Sequence, residues 1–193
     1  MYGGSTDGYL WAFDPTDGST TWQSADTGSE IKTVPVLGSG GTIAYVGAKD
    51  GRVWAFDTVD GSLRWSSDAA AKQIVVTPVL SPDESVIYAA SQDDKMWAFN
   101  ATDGSTKWTS EATGGNLESA PTLAPDGSVV YVGSKDASVW AFNATDGSTK
   151  WTSPAAGADI HSSATTLSLD GSVVEVGSDD DTVWAFNAAD GSS

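Results

Sequence analysis

The tripeptide Trp-Ala-Phe occurs five times in this 193-residue chain, and its spacing constrains the fold more than any other feature. Its first residues are separated by 43, 43, 43 and 44 positions, and they are Trp11, Trp54, Trp97, Trp140 and Trp184. A second tryptophan follows each of the first four after eleven residues: Trp22, Trp65, Trp108 and Trp151. A fixed period of this length indicates a repeat architecture in which each unit packs on the next.

One period contains the pattern of four short strands separated by turns. In the third complete period we predict strands over 120–123, 129–133, 139–142 and 149–152, with turn sequences such as Pro125-Asp126-Gly127 between them. No segment shows a sustained helical period. Four strands in 43–44 residues, repeated, predict an all-β propeller of four-stranded antiparallel blades, with about four and a half blades in this chain.

The repeat also predicts where the blades divide. We expect a partial blade over 1–32, complete blades over 33–75, 76–118 and 119–161, and a second partial blade over 162–193. The two partial blades together offer six strands where one closing blade needs four. We therefore expect the chain to belong to a larger ring, or to associate with itself through its incomplete terminal blades, because unpaired strand edges attract other strands.

Composition excludes several classes of function. The 26 acidic and 9 basic residues give a net charge of −17, which repels nucleic acid and anionic membrane surfaces. No stretch approaches the roughly 20 apolar residues of a membrane-spanning helix, so no membrane insertion is expected. There is no cysteine, and no secretory signal is visible in this stretch. Because the surface is so acidic, we expect an extracellular or cell-surface location.

The pattern Ala-x-Asp/Asn-x-x-x-Gly-x-x-x-Trp, which begins at Ala12, Ala55, Ala98 and Ala141, resembles the tryptophan-docking motif of pyrroloquinoline-quinone (PQQ)-like propellers. Asp stands before the glycine where that motif usually has Thr. The resemblance implies a ring that usually has eight blades, and docking tryptophans that stack on the neighbouring blade. It assigns the docking role to two sets of residues: Trp22, Trp65, Trp108 and Trp151, with Gly18, Gly61, Gly104 and Gly147.

The same resemblance includes quinone-dependent dehydrogenases, so catalysis must be weighed. Those enzymes combine a vicinal cysteine pair with a calcium site and a catalytic aspartate, and this chain has no cysteine. The cofactor-free members, which bind other proteins, fit better. We therefore expect no catalytic, cofactor or metal site.

Candidate binding residues lie where the repeat varies. The connections from one blade to the next (23–32, 66–75, 109–118 and 152–162) differ most, and such loops on a constant scaffold usually carry specificity. Their polar residues form a possible ligand face: Glu30, Lys32, Gln73, Asn116, Glu118, Asp159 and His161. The sequons at Asn100 and Asn143 would permit glycosylation, although Asn there can equally replace the turn-forming Asp14 and Asp57.

Together these features predict a non-catalytic propeller scaffold for protein–protein interaction or structural assembly. A propeller module that binds a small ligand or a glycan is the alternative, and a fragment of a PQQ-dependent dehydrogenase is less favoured.

Overall fold

The computed structural model describes residues 1–161 and 163–193, and almost all of its regular structure is short β-strand. A single 3-10 turn is described, at Ser39–Gly41. The strands are β1 (Tyr2–Gly4), β2 (Leu10–Phe13), β3 (Thr20–Gln23), β4 (Val36–Gly38), β5 (Ile43–Gly47), β6 (Val53–Asp57), β7 (Leu63–Ser66), β8 (Val79–Leu80), β9 (Val86–Ala90), β10 (Met96–Asn100), β11 (Thr106–Thr109), β12 (Thr122–Leu123), β13 (Val129–Gly133), β14 (Val139–Asn143), β15 (Thr149–Thr152), β16 (Thr166–Leu167), β17 (Val173–Gly177) and β18 (Val183–Asn187).

These strands form five antiparallel sheets, each built from consecutive strands. The first sheet is β1-β2-β3, the next three have four strands each (β4 to β7, β8 to β11 and β12 to β15), and the last is β16-β17-β18. We call them blades one to five. The predicted all-β propeller fold with four-stranded antiparallel blades is confirmed.

The first strand of blade four is shorter than the sequence suggested. It begins at Thr122 rather than Ala120, because Pro121 has no N–H to give to a ladder. Thr165 occupies the corresponding position of blade five, and its N–H donates to the Ala120 carbonyl oxygen at 3.1 Å. Ala120 and Ala164 thereby form a parallel bridge between the inner strands of these two blades.

Each blade has two different faces because side chains alternate along a strand. The Trp and Phe of Trp-Ala-Phe lie on the leading face, which packs against the preceding blade. The central Ala lies on the trailing face, opposite the second Trp: Ala98 pairs with Trp108 and Ala141 with Trp151. A register shift follows directly after this Ala in the third-to-fourth strand pairing of blades one to four.

The hydrophobic core lies between blades rather than inside them. In the cluster between blades three and four, Tyr88, Met96 and Trp108 of the trailing face meet Val130 and Phe142 of the leading face. Similar clusters occupy the other three boundaries. Phe56, Phe99, Phe142 and Phe186 are all fully buried there. Burying a side chain of this size contributes about 2–3 kcal/mol, so the phenylalanines are major determinants of blade-to-blade adhesion.

Candidate functional site

The second tryptophan of each blade reaches the next blade with its indole N–H. In all four cases this group donates to a backbone carbonyl oxygen just after the next blade's third strand. The contacts are Trp22 to Thr58 (3.0 Å), Trp65 to Ala101 (3.1 Å), Trp108 to Ala144 (2.9 Å) and Trp151 to Ala188 (3.1 Å).

Three of these carbonyl oxygens also accept a tyrosine hydroxyl. Tyr45 donates to Ala101, Tyr88 to Ala144 and Tyr131 to Ala188, at 3.1–3.2 Å. A carbonyl oxygen has two lone pairs, so it can satisfy both donors. Burial raises the pKa of each of these tyrosines, which keeps the hydroxyl protonated and able to donate.

The glycines assigned to docking lie directly against the indoles, but of the preceding blade. A Cβ atom added to Gly61 would be 2.6 Å from Cε3 of Trp22, and one added to Gly104 or Gly147 would be 2.4 Å from the same atom of Trp65 or Trp108. Gly18 differs, since nothing described lies within 4 Å of its added Cβ. Gly61, Gly104 and Gly147 therefore form interblade contacts with these indoles and leave no opening for a ligand between them.

The sequon asparagines lie at the ends of third strands, where they shape a turn. Asn100 Oδ1 accepts the Thr102 N–H at 2.9 Å, just as Asp14 Oδ1 accepts the Thr16 N–H at 2.7 Å. Asn143 instead donates from Nδ2 to Ser148 Oγ at 2.6 Å. The turn thus gives a structural reason for Asn or Asp at this position, and glycosylation stays a prediction.

The loops of the predicted ligand face lie next to a second set of residues that vary between blades. The residue five before each Trp-Ala-Phe lies in the hairpin between second and third strands, and its backbone N–H donates to the preceding loop. Lys49, Gln92, Lys135 and Asp179 bond in this way to the carbonyls of Glu30, Gln73, Asn116 and Asp159. We call this end of the blades the mouth.

Ion pairs at the mouth join neighbouring blades. Glu30 Oε2 lies 2.7 Å from Lys49 Nζ and 3.9 Å from Lys32 Nζ. The hydrogen bond with Lys49 holds the pKa of Glu30 below its usual value and raises the pKa of Lys49. Both groups are therefore charged at neutral pH.

Glu118 is the centre of a second network. Burial raises its pKa, but hydrogen bonds from Lys135 and Asn116 outweigh this effect, so the pKa lies below its usual value. Lys135 Nζ is 2.9 Å away and Gln92 Nε2 donates at 2.8 Å. The contact from Asn116 Nδ2 to Glu118 is long, at 3.4 Å. The Asn116 amide fits better when it is reversed, because its nitrogen then donates to the Gln92 carbonyl (2.8 Å) and to Asp94 (2.9 Å). Lys135 is accordingly the dominant stabiliser of the Glu118 carboxylate.

His161 has a carboxylate neighbour that its sequence surroundings did not indicate. Its Nδ1 lies 3.0 Å from Asp179 Oδ1, but the angles do not give a hydrogen bond. The neighbouring Asp180 caps its own hairpin, accepting the Thr182 N–H at 3.0 Å and the Trp184 indole N–H at 2.9 Å. The Asp179–Asp181 segment is thus a hydrogen-bonded turn.

A cavity of about 610 Å³ opens at the mouth between the inner strands. Of the predicted face, Lys32, Gln73 and Glu118 line it, whereas Glu30, Asn116, Asp159 and His161 do not. Lys49 and Gln92 also line it, and sequence reasoning missed both. A signal was available, because the position five before each Trp varies as much as the loops do: Thr6, Lys49, Gln92, Lys135 and Asp179.

Residues 1–161 and 163–193 contain no group of three or more His, Asp or Glu side chains placed to hold a metal ion. No helix in this part of the chain is long and apolar enough to cross a membrane.

Sequence comparison decides the family. The family described as "Outer membrane protein assembly factor BamB" matches residues 6–163. The chain belongs to the BamB family. It shares the PQQ-like propeller repeat of that family, as the tryptophan motif predicted. No curated protein sequence matches the chain significantly.

Solved structures agree with the BamB-type fold. BamB from Moraxella catarrhalis has a TM-score of 0.78 at 20% identity, over 97% of this chain and 58% of that one. The computationally designed Ika8 protein has a TM-score of 0.82 at 15% identity, over 97% and 55%. This chain thus spans little more than half the length of either. The designed Ika4 protein matches with a TM-score of 0.74 at 15% identity, over 88% of this chain and 98% of its own.

Proposed function

We propose that the chain is a non-catalytic scaffold whose blade faces bind other proteins, including a second copy of itself. Its membership of a family described as an assembly factor supports this role at a general level. The observation that carries it is the state of the two outermost sheet faces. The first resembles the leading half of the interface that occurs four times between successive blades, and the second presents the third-strand part of the trailing half.

The leading face of blade one is the first of these surfaces. Phe13 is partly exposed, whereas the equivalent Phe56, Phe99 and Phe142 are fully buried beneath a preceding blade. A shallow cavity of about 490 Å³ lies here, lined by Gly3, Trp11 and Phe13 among others. Its shape and apolar character suit the trailing face of another blade.

The trailing face of blade five is the second surface. Val183 is 76% exposed, although the equivalent Val53 and Val139 are completely buried. Glu175 is exposed where blades two to four have a buried tyrosine. A charge on such a face weakens indiscriminate sheet-to-sheet sticking, so it favours a selective contact over aggregation.

Solution mass tests this proposal directly. We expect the molar mass from light scattering to rise with protein concentration, and Phe13→Asp and Val183→Asp each to reduce that rise. Val59→Asp is the matched control, because Val59 is 79% exposed but lies in a turn away from both faces. A concentration-independent monomer, or equal effects of all three variants, would refute self-association through these faces.

We also propose a location at the cell surface. The acidic surface, with its net charge of −17, and the family's description as an outer membrane protein assembly factor support this. Digestion by protease added to intact cells is the expected result, and full protection until the cells are lysed would contradict it.

A further inference from the structure

Lys32 lies at the cavity and makes only a long ion pair. Its Nζ lies 3.9 Å from Glu30 Oε2, and that carboxylate is already engaged by Lys49 at 2.7 Å. The Lys32 side chain is 47% exposed and lines the cavity. An ammonium group in this position can exchange water for an anionic ligand without first breaking a strong ion pair.

The other polar groups of the cavity differ in how far they are already engaged. Glu118, on another part of the wall, is neutralised by Lys135 and bonded to Gln92. Gln73 also lines the cavity, and its side chain makes no hydrogen bond to the described part of the chain. Gln73 can therefore offer both a donor and an acceptor to a ligand.

The net charge at the cavity is opposite in sign to the net charge of the whole molecule. Among the residues that line it, Lys32 and Lys49 contribute two positive charges and Glu118 contributes one negative charge, which leaves +1. The complete chain carries −17. Between these groups, Val75, Val76, Ala120 and Ala164 supply an apolar part of the wall. A volume of about 610 Å³ is within the usual range for small-ligand sites.

We propose that this cavity binds a monocarboxylate with a short apolar body and an amide, either as a free small molecule or as the C-terminus of a peptide. The carboxylate pairs with Lys32, the amide with Gln73, and the apolar body lies against Val75, Val76 and Ala120. This binding goes beyond the scaffold role and does not depend on it, because the cavity is separate from the two outer blade faces.

NMR titration with a matched pair of probes tests the charge requirement. N-acetyl-L-valine should shift the backbone amide signals of Val75, Val76 and Ala120, whereas N-acetyl-L-valine methylamide, which lacks the charge, should not. A longer probe, N-acetyl-Ala-Ala-Val with a free carboxylate, separates the two sources. Tighter binding of this peptide indicates a peptide terminus, and equal or weaker binding indicates a free small molecule.

Two variants then locate the site. Lys32→Gln should weaken binding of the carboxylate probes by about tenfold or more, because it removes a charge-assisted hydrogen bond. Lys107→Gln makes the same change in net charge at a lysine beside a different cavity, between blades three and four, and should leave affinity unchanged. The proposal is overturned by any of three results: no shifts up to about 10 mM probe, equal binding of the methylamide, or equal losses in the two variants.

Discussion

At the scale of single residues, the contact between an indole and a glycine joins each blade to the next. Gly61, Gly104, Gly147 and Gly191 each lie under the tryptophan of the preceding blade. Their φ angles also lie between +73° and +75°, a left-handed backbone region that residues with a Cβ atom rarely adopt. Two separate requirements therefore select glycine at this position: backbone conformation and close approach.

Gly18 allows these two requirements to be separated by mutation. It shares the conformation, with φ of +74°, but no described atom lies within 4 Å of an added Cβ. We expect Gly18→Ala to cost about 1–2 kcal/mol from backbone strain alone. Gly147→Ala should cost a further ~1–3 kcal/mol, because its Cβ would meet the Trp108 ring. Urea unfolding measures both, and equal losses would show that the indole contact adds nothing.

The motif resemblance predicted that each docking tryptophan stacks on the neighbouring blade, but not which residue it meets there. The structure places Trp22 against Gly61, whereas Gly18 of its own motif has no described atom within 4 Å of an added Cβ. The reason is that a fourth-strand side chain on the trailing face meets only the following blade, and no local pattern records that packing.

At the scale of elements, the hairpin between second and third strands depends on one aspartate. Asp50, Asp136 and Asp180 each accept the backbone N–H two residues later, and each also accepts the indole N–H of the Trp four residues later. In Asp180 the Thr182 hydroxyl is the largest of several hydrogen bonds that lower the pKa from 3.8 to about 2. The hairpin of blade five therefore favours the ionised form of Asp180.

This preference predicts a pH-dependent difference between variants. Because the folded pKa is depressed, Asp180 stabilises the fold above pH 3.8, and this contribution is lost as the pH falls towards 2. Wild type should thus be more stable than Asp180→Asn at pH 7, and the gap should close between about pH 4 and pH 2. Thermal unfolding at a series of pH values measures the gap.

Asp181→Asn is the control for that experiment. It removes the same charge from the same turn at a residue with φ of +64°, which asparagine tolerates. The hydrogen bonds from Thr182 and from the Trp184 indole end on Asp180 and not on Asp181, so this variant should not reproduce the closing gap of Asp180→Asn. If both variants follow the same pH curve, the hydrogen bonds to Asp180 do not account for the effect.

Strand ends could be predicted where the pattern of apolar side chains sets them. They were harder to predict where backbone hydrogen bonds to another blade set them. The strands Val129–Gly133 and Thr149–Thr152 lie where the apolar pattern placed them. The first strand was predicted two residues too long because Ala120 bonds to blade five rather than to β13. Its partner lies 44 residues away, beyond the reach of a local pattern.

At the scale of the whole molecule, adhesion between blades must overcome charge repulsion. Four apolar clusters hold five sheets together, while the chain carries a net charge of −17. Like charges on a compact body repel one another, and salt screens that repulsion. The fold is therefore expected to be more stable at high ionic strength.

Thermal unfolding in increasing KCl measures this effect. Tm should rise between roughly 0.01 M and 1 M salt, as the screening length falls from about 30 Å to about 3 Å. The double variant Glu111→Gln with Asp181→Asn, which carries two fewer negative charges, should respond less. A Tm that falls with salt would show that the ion pairs at the mouth outweigh the repulsion.

The distance in sequence from each docking tryptophan to its carbonyl acceptor has a further consequence. It is 36 residues for Trp22, Trp65 and Trp108, and 37 for Trp151, yet the four bonds have nearly the same length. The extra residue lies between Ile160 and Thr165, in the loop that leads to blade five. One additional residue in this connection thus leaves the indole hydrogen bond between blades four and five at the length found between the other blades. Evolution can therefore lengthen these loops one at a time, and a protein engineer can graft foreign recognition sequences into them, on a framework that stays the same.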